Sequence, residues 1–170
     1  MTDTLVNGII NAFGGADAGG FIKEIIVFVI SMIPILELRG AILAAGIMNM
    51  KFLSTYIIAV IGNIIPVPFV LLFIDKIFVL LKKTKLRKFV ERLENKAILK
   101  SDKVTKYGKW GLFLFVAVPL PGTGAWTGSL IASLLRMNKK QAVFYIFLGI
   151  LTAGLIMSML AFGILKNILY

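Results

Sequence analysis

Apolar residues in this chain fall into blocks. Residues 21–33, 36–48, 52–81, 111–118, 125–135 and 142–165 are dominated by them, and short polar or proline-bearing stretches lie between. Two blocks, 52–81 and 142–165, exceed the roughly 20 residues that a helix needs to cross a bilayer. The other four are too short. Pro34 stops the first block, "MNMK" (48–51) and "RMNKK" (136–140) are turns, and "IIPVP" (64–68) predicts a kink inside a long helix. Residues 1–20 read as a short amphipathic stretch ending in the flexible joint "GGADAGG". They lack a basic leader region, so no cleaved signal is expected.

Residues 82–109 break the pattern. They hold eleven Lys/Arg against three acids, with Leu86, Phe89, Val90, Leu93 and Ala97 at helical spacing. The expectation is one basic amphipathic helix on the cytoplasmic surface, held by anionic lipid head groups at about 1 kcal/mol per basic residue.

After it the pattern restarts. "IPILELRGAILAAGIMNMK" (33–51) lines up with "VPLPGTGAWTGSLIASLLRMNKK" (118–140), with a three-residue insertion after the proline. Gly40 then falls on Gly128, Ala44 on Ala132 and Lys51 on Lys139. The chain reads as two repeats: residues 1–20 lead in, 21–81 form the first, 82–109 link, and 110–170 form the second, all in one membrane domain.

Two topologies compete. If each short pair is a broken full span, the repeats are parallel and Arg136, Lys139 and Lys140 lie outside. If each pair is a re-entrant hairpin, the second repeat is inverted and those cations lie inside with the basic segment. The positive-inside rule favours the second. The expected fold is all-α and integral to the membrane: two inverted repeats, each a re-entrant helical hairpin plus a long transmembrane helix. A hairpin tip at membrane depth needs non-helical backbone that protein or water shelters. Pro34, Pro119 and Pro121 end helices there, Gly122 and Gly124 permit a tight turn, and Thr123 is a candidate N-cap. Small residues at Gly40, Ala44, Gly124, Gly128 and Ala132 would let helices approach and the two tips meet.

Charge at such a tip marks a candidate site. Glu37 and Arg39 each cost about 2.5–3.5 kcal/mol in the middle of a span. Their i,i+2 spacing keeps them from facing each other on a helix. Two inward helix N-termini plus Arg39 outweigh Glu37, so the tips suit an anion such as a phosphate. Thr123 and Thr127 would add hydroxyl donors, and Arg136 would guide the head group inward or serve only as a topological marker. Glu37, its pKa raised by desolvation, would carry a proton. Trp126 is a stacking wall or, more simply, a core or lipid-facing aromatic. Asn63, Pro66 and Pro68 line the cavity or merely kink the helix, and Asp75 and Lys76 read as interfacial.

Composition sharpens the picture. The chain has 170 residues, 59% hydrophobic, with a net charge of +11, and neither Cys nor His. Disulfides, thiol chemistry, His-based triads and zincin sites are excluded, so no enzyme, cofactor or metal is expected. The "GTGAWTG" run lacks the βαβ setting of a dinucleotide loop. Tethering to membrane segments makes lipid, not nucleic acid, the partner of the basic charges; a homodimer is a further expectation.

At "IPILELRGAI" and "PLPGTGAWTGSLIA" the chain resembles the small multidrug export protein family over about residues 20–165. Its layout is similar to the wider DedA/VTT superfamily. The resemblance implies a multi-pass protein of a bacterial or archaeal cell membrane that moves a substrate, in DedA-like proteins a polyprenyl-phosphate lipid carrier with proton coupling. It matches Glu37 to the acidic residue of the first hairpin and Arg136 to an arginine after the second; no acid stands at the second tip. The expected function is alternating-access transport of a small or lipid-linked anion. A proton-coupled exporter of cationic drugs and a non-transporting scaffold are the alternatives.

Overall fold

The computed structural model describes residues 19–120 and 122–168, together with residue 4 and residues 7–9; side chains at 103 and 164–168 are not among those described. Most of the amphipathic lead-in and its glycine-rich joint therefore lie outside the described residues, as does Pro121.

Those residues form helices and turns only. In chain order the helices are α1 (Gly20–Met32), α2 (Glu37–Ile47), α3 (Phe52–Ile64), α4 (Pro66–Lys82), α5 (Arg87–Leu99), α6 (Asp102–Ala117), α7 (Ala125–Leu134) and α8 (Lys139–Ile168). Proline places the first boundaries. The residue before a proline is driven into extended backbone, and Ile33 and Val118, each followed by proline, close α1 and α6 at ψ 130° and 119°. Pro66 opens α4, where its missing N–H costs nothing, so the kink expected at 64–68 appears as the α3–α4 junction at Ile65.

Taken together, α3 and α4 make a 31-residue apolar run, Phe52–Lys82, whose most apolar stretch has a mean hydropathy of 2.6; Lys139–Gly163 makes one of 25 residues, with a most apolar stretch at 2.2. Only 44% and 33% of their most apolar stretches are buried inside the protein. A core helix of a soluble protein would hide that surface. Phe69, Leu72, Phe73, Val79 and Leu80 instead stand outward on α4, as lipid contact requires.

Two compact units make up the chain. One comprises Met1–Ile65 and Ile150–Tyr170, the other Pro66–Gly149. In the first, α1, α2 and α3 pack on one another; in the second, α4 packs on α7, α5 on α4 and α7, and α6 on α7. Each unit thus holds one helical pair with the opening stretch of the long helix that follows it and the closing stretch of the other long helix.

The basic segment departs from expectation. It is two helices, because α5 ends at Leu99 and α6 begins at Asp102, and α6 itself bends at Gly108 (φ 57°, ψ −130°) before it becomes the apolar arm. Its apolar positions are also split. Val90 and Ala97 are buried by protein, while Leu86, Phe89, Ile98 and Leu99 remain exposed beside the basic residues.

Candidate functional site

Each unit carries a proline-broken helix pair. In the second, the chain leaves α6 through Val118 and Pro119 and turns at Gly122 (φ 77°) and Gly124 (φ 132°), a backbone only glycine enters without strain. Gly124 caps α7; Thr123 does not. The Thr123 hydroxyl donates to the carbonyls of Val118 (2.9 Å) and Leu120 (2.8 Å) and accepts from the Leu120 N–H. The N-cap expectation fails because the hydroxyl folds back on its own loop. From the basic segment, Lys100 donates its ammonium to the Gly122 carbonyl at 2.9 Å. Hydropathy gave no sign of this contact, since Lys100 looks like any other lysine of the run.

In the first unit the corresponding turn is tighter. Glu37 donates its backbone N–H to Ile33 O at 2.9 Å and opens α2 at φ 49°. Its side chain is 7% exposed. A non-glycine residue at such a left-handed position is strained. The matching position before α7 is Gly124, which takes a positive φ without that strain.

Both returning helices end alike. Asn49 (φ 52°) and Arg136 (φ 50°) are left-handed residues just past α2 and α7. Met50 N–H donates to Ala45 O and Asn49 N–H to Gly46 O; Met137 N–H donates to Ala132 O and Arg136 N–H to Ser133 O. These are two Schellman caps. Lys23 also donates to Met48 O at 3.0 Å, neutralising the end of α2. Lys51 and Asn138 then open α3 and α8; Asn138 Oδ1 accepts from the N–H groups of Lys140 and Gln141.

Glycines set the helix contacts. A Cβ at Gly40 would lie 3.5 Å from Ile30 on α1, and one at Gly128 would lie 2.7 Å from Val116 on α6. The small-residue faces therefore seat each returning helix on its own partner arm. Gly62 of α3 lies against Ser31 and the Phe28 carbonyl of α1, and Gly149 of α8 against Val116 and the Phe113 carbonyl of α6. These landmarks pair Asn49 with Arg136 and Lys51 with Asn138, one residue from the register of the sequence alignment. The loop insertion is two residues, not three. Side-chain similarity misled there because apolar blocks align nearly as well one step apart.

The candidate site residues divide between the units. Glu37, buried, and Arg39, half-buried, share the first turn of α2; Pro34 is exposed in the turn before it. Thr123 and Thr127 are half-buried around the start of α7, and the Arg136 side chain is exposed at its end. Trp126 is half-buried, and Asn63 is buried on α3. Asp75, exposed on α4, accepts from the buried Ser133 hydroxyl of α7 at 2.9 Å, a link between helices that interfacial placement alone did not anticipate.

A family model described as "Putative small multi-drug export protein" matches residues 37–156. The chain belongs to this family. The match opens on Glu37 and runs through both returning helices, the basic segment and the opening of α8. No curated protein and no solved structure matches the chain. The family's description names an export role, and with two helices long and apolar enough to cross a bilayer it makes this a membrane protein with a transport function.

Proposed function

We propose that this exporter-family protein moves an anionic, phosphate-type substrate, small or lipid-linked, across the cell membrane by alternating access. The two helix pairs act as re-entrant hairpins of inverted repeats, and the turn of each is a candidate binding region in its own unit. The observation that carries the reading is Glu37: the first unit keeps a buried carboxyl at a positive-φ position that the second fills with glycine. Strain retained at a site points to function, and a carboxyl is the group that can load and release a proton as the protein alternates. Matching proline breaks, Schellman caps and glycine contacts support the repeat.

Anion selectivity follows from the charge around the turns. Arg39 and the α2 N-terminus stand in one unit, Lys100 on the Gly122 loop and the α7 N-terminus in the other; Glu37 is the opposing charge. Thr127 and Arg136 complete the proposed set, Thr127 as a hydroxyl donor and Arg136 as the cation that receives head groups at the cytoplasmic end. The exposed Phe89, Leu86, Ile98 and Leu99 with their basic neighbours hold α5 to anionic lipid. A homodimer is part of the proposal only as an assembly of such units.

The experiment is binding of phosphate-headed lipid to purified protein, with Arg39→Gln and Lys100→Met as variants. Tight binding that both variants weaken supports the proposal; equal binding by all three removes it. The second reading, proton-coupled export of cationic drugs, takes its support from the family's description. Efflux of a fluorescent cation from vesicles that Glu37→Gln stops and phosphate lipid does not inhibit would favour it. Folded, stable Glu37→Gln and Arg39→Gln proteins that behave as wild type in both assays would leave a scaffold. Single cysteines at Lys51 and Lys139, labelled from each side, test the inversion: labelling from opposite faces is expected, and labelling from one face removes the hairpin arrangement.

A further inference from the structure

Among the described residues, three buried polar oxygens in the first unit have no hydrogen-bond partner: Thr55 Oγ1, Asn63 Oδ1 and Ser158 Oγ. Their residues are 0%, 3% and 0% exposed. Three serines elsewhere in the chain give their hydroxyl to a carbonyl of the preceding turn: Ser31 to Phe28 at 2.7 Å, Ser101 to Ile98 at 2.7 Å, Ser129 to Ala125 at 2.6 Å. Thr55 and Ser158 do not.

Their placement is ordered. Thr55, Ala59, Val60, Gly62 and Asn63 form the buried stripe of α3. Along α8, Phe162 meets Phe52 with ring centroids 5.8 Å apart, and Leu151 O accepts from the Tyr56 hydroxyl at 3.1 Å. Between these two contacts the helices run antiparallel, so Thr55 and Ser158 stand at one level. At the other end, Asn63 follows Gly62, which sits on the last turn of α1 just before the turn into Glu37. Leaving a buried hydroxyl or amide oxygen bare costs about 1–3 kcal/mol. A buried water, which makes about three hydrogen bonds, removes that cost.

We infer that the stripe from Thr55 to Asn63, with Ser158 opposite, is a hydrated seam that carries protons between the Lys51 end of α3 and the Glu37 carboxyl. The eight-residue path is about 12 Å long. A proton arriving on seam water transfers to the Glu37 carboxylate, leaving a neutral carboxyl and water; the reverse transfer releases it. The charged groups on the elements around the seam are Arg39 on α2, Lys23 and Glu24 on α1, and Lys51 at the head of α3; the α8 stretch from 150 to 163 carries none. The inference rests on Glu37 being the coupling group.

Two measurements test it in the full, naturally cysteine-free chain. First, silver ions are offered to folded protein in liposomes, and unreacted thiols are then alkylated in denaturant. Thr55→Cys and Ser158→Cys should be protected by silver, whereas Ile61→Cys and Leu155→Cys, at outward apolar positions, should not; failure of both seam cysteines to react overturns the seam. Second, an acid step is applied to proteoliposomes. Thr55→Val should slow proton uptake by about tenfold or more, and Thr55→Ser should retain it. Wild-type uptake that survives Thr55→Val unchanged removes the seam alone. A wild type that takes up no protons removes the coupling role of Glu37 and the seam with it.

Discussion

Lys100 and Gly122 are joined: the ammonium, from the end of the basic segment, donates to the carbonyl of the loop that opens α7, at 2.9 Å. The basic segment is thereby tied to the proline-glycine turn as well as exposed to its surroundings. Lys100→Met removes the tie. Because the contact is exposed, the loss of global stability should stay below about 1 kcal/mol. Hydrogen exchange in residues 118–124 should rise in Lys100→Met and stay unchanged in Lys96→Met, whose lysine is exposed on α5.

Gly62 and Gly149 test the repeat at the level of packing. A Cβ at Gly62 would lie 2.8 Å from the Phe28 carbonyl, and one at Gly149 would lie 2.6 Å from Val116 Cβ and 3.0 Å from the Phe113 carbonyl. Backbone cannot step aside as a lysine tip can. Alanine at either position should destabilise by about 1–3 kcal/mol. Gly163→Ala, with nothing within 4 Å, should be neutral or stabilising by up to about 1 kcal/mol. Thermal unfolding in detergent separates the three.

Glu37 separates stability from function. Glu37→Gly relaxes the φ of 49°, a strain of about 1 kcal/mol or more, and removes the carboxyl together with its contacts. Glu37→Gln removes the charge and keeps the strain. Both should abolish proton-coupled transport. A folded Glu37→Gly protein that still transports would show that the carboxyl has no coupling role.

The pH response of α5 is set outside the membrane. Arg87 Nε donates to Glu91 Oε1 at 2.7 Å, and that hydrogen bond, with the neighbouring positive charges, holds the Glu91 carboxyl below its usual range. A depressed folded-state pKa means the contribution is present above the unfolded carboxylate pKa, about 4.3, and is lost as pH falls through the lower folded value. The helicity of α5 should fall on acidification below about pH 4. In Glu91→Gln this component of the acid transition should vanish, as read by hydrogen exchange across residues 87–99.

Much of the fold was legible because its causes are local. Pro34 and Pro119 force extended backbone at the residue before them, and the ends of α1 and α6 fall there. The kink at 64–68 and both long apolar runs followed from proline chemistry and hydropathy. The single basic helix was misread because periodicity counts apolar positions and sees neither the break at Lys100 and Ser101 nor the bend at Gly108. Thr123 was misread because an N-cap and a loop hydroxyl bond look the same in sequence. The charge and position of Glu37 at a break marked it as a candidate; its positive φ, the argument for function, is a backbone property that no residue type except glycine advertises.

The sequence by itself determined that this chain is helical and apolar enough to live in a membrane, and where it breaks, because those depend on proline geometry and on the transfer of apolar side chains from water. Only the tertiary structure decided the like helix ends at Asn49 and Arg136, the seating of Gly62 and Gly149 on carbonyls of their partner helices, the Lys100–Gly122 tie and the bare oxygens of Thr55, Asn63 and Ser158. Each of those is a relation between residues far apart in the chain, fixed by which surfaces fit within an ångström, and hydropathy carries no information at that distance.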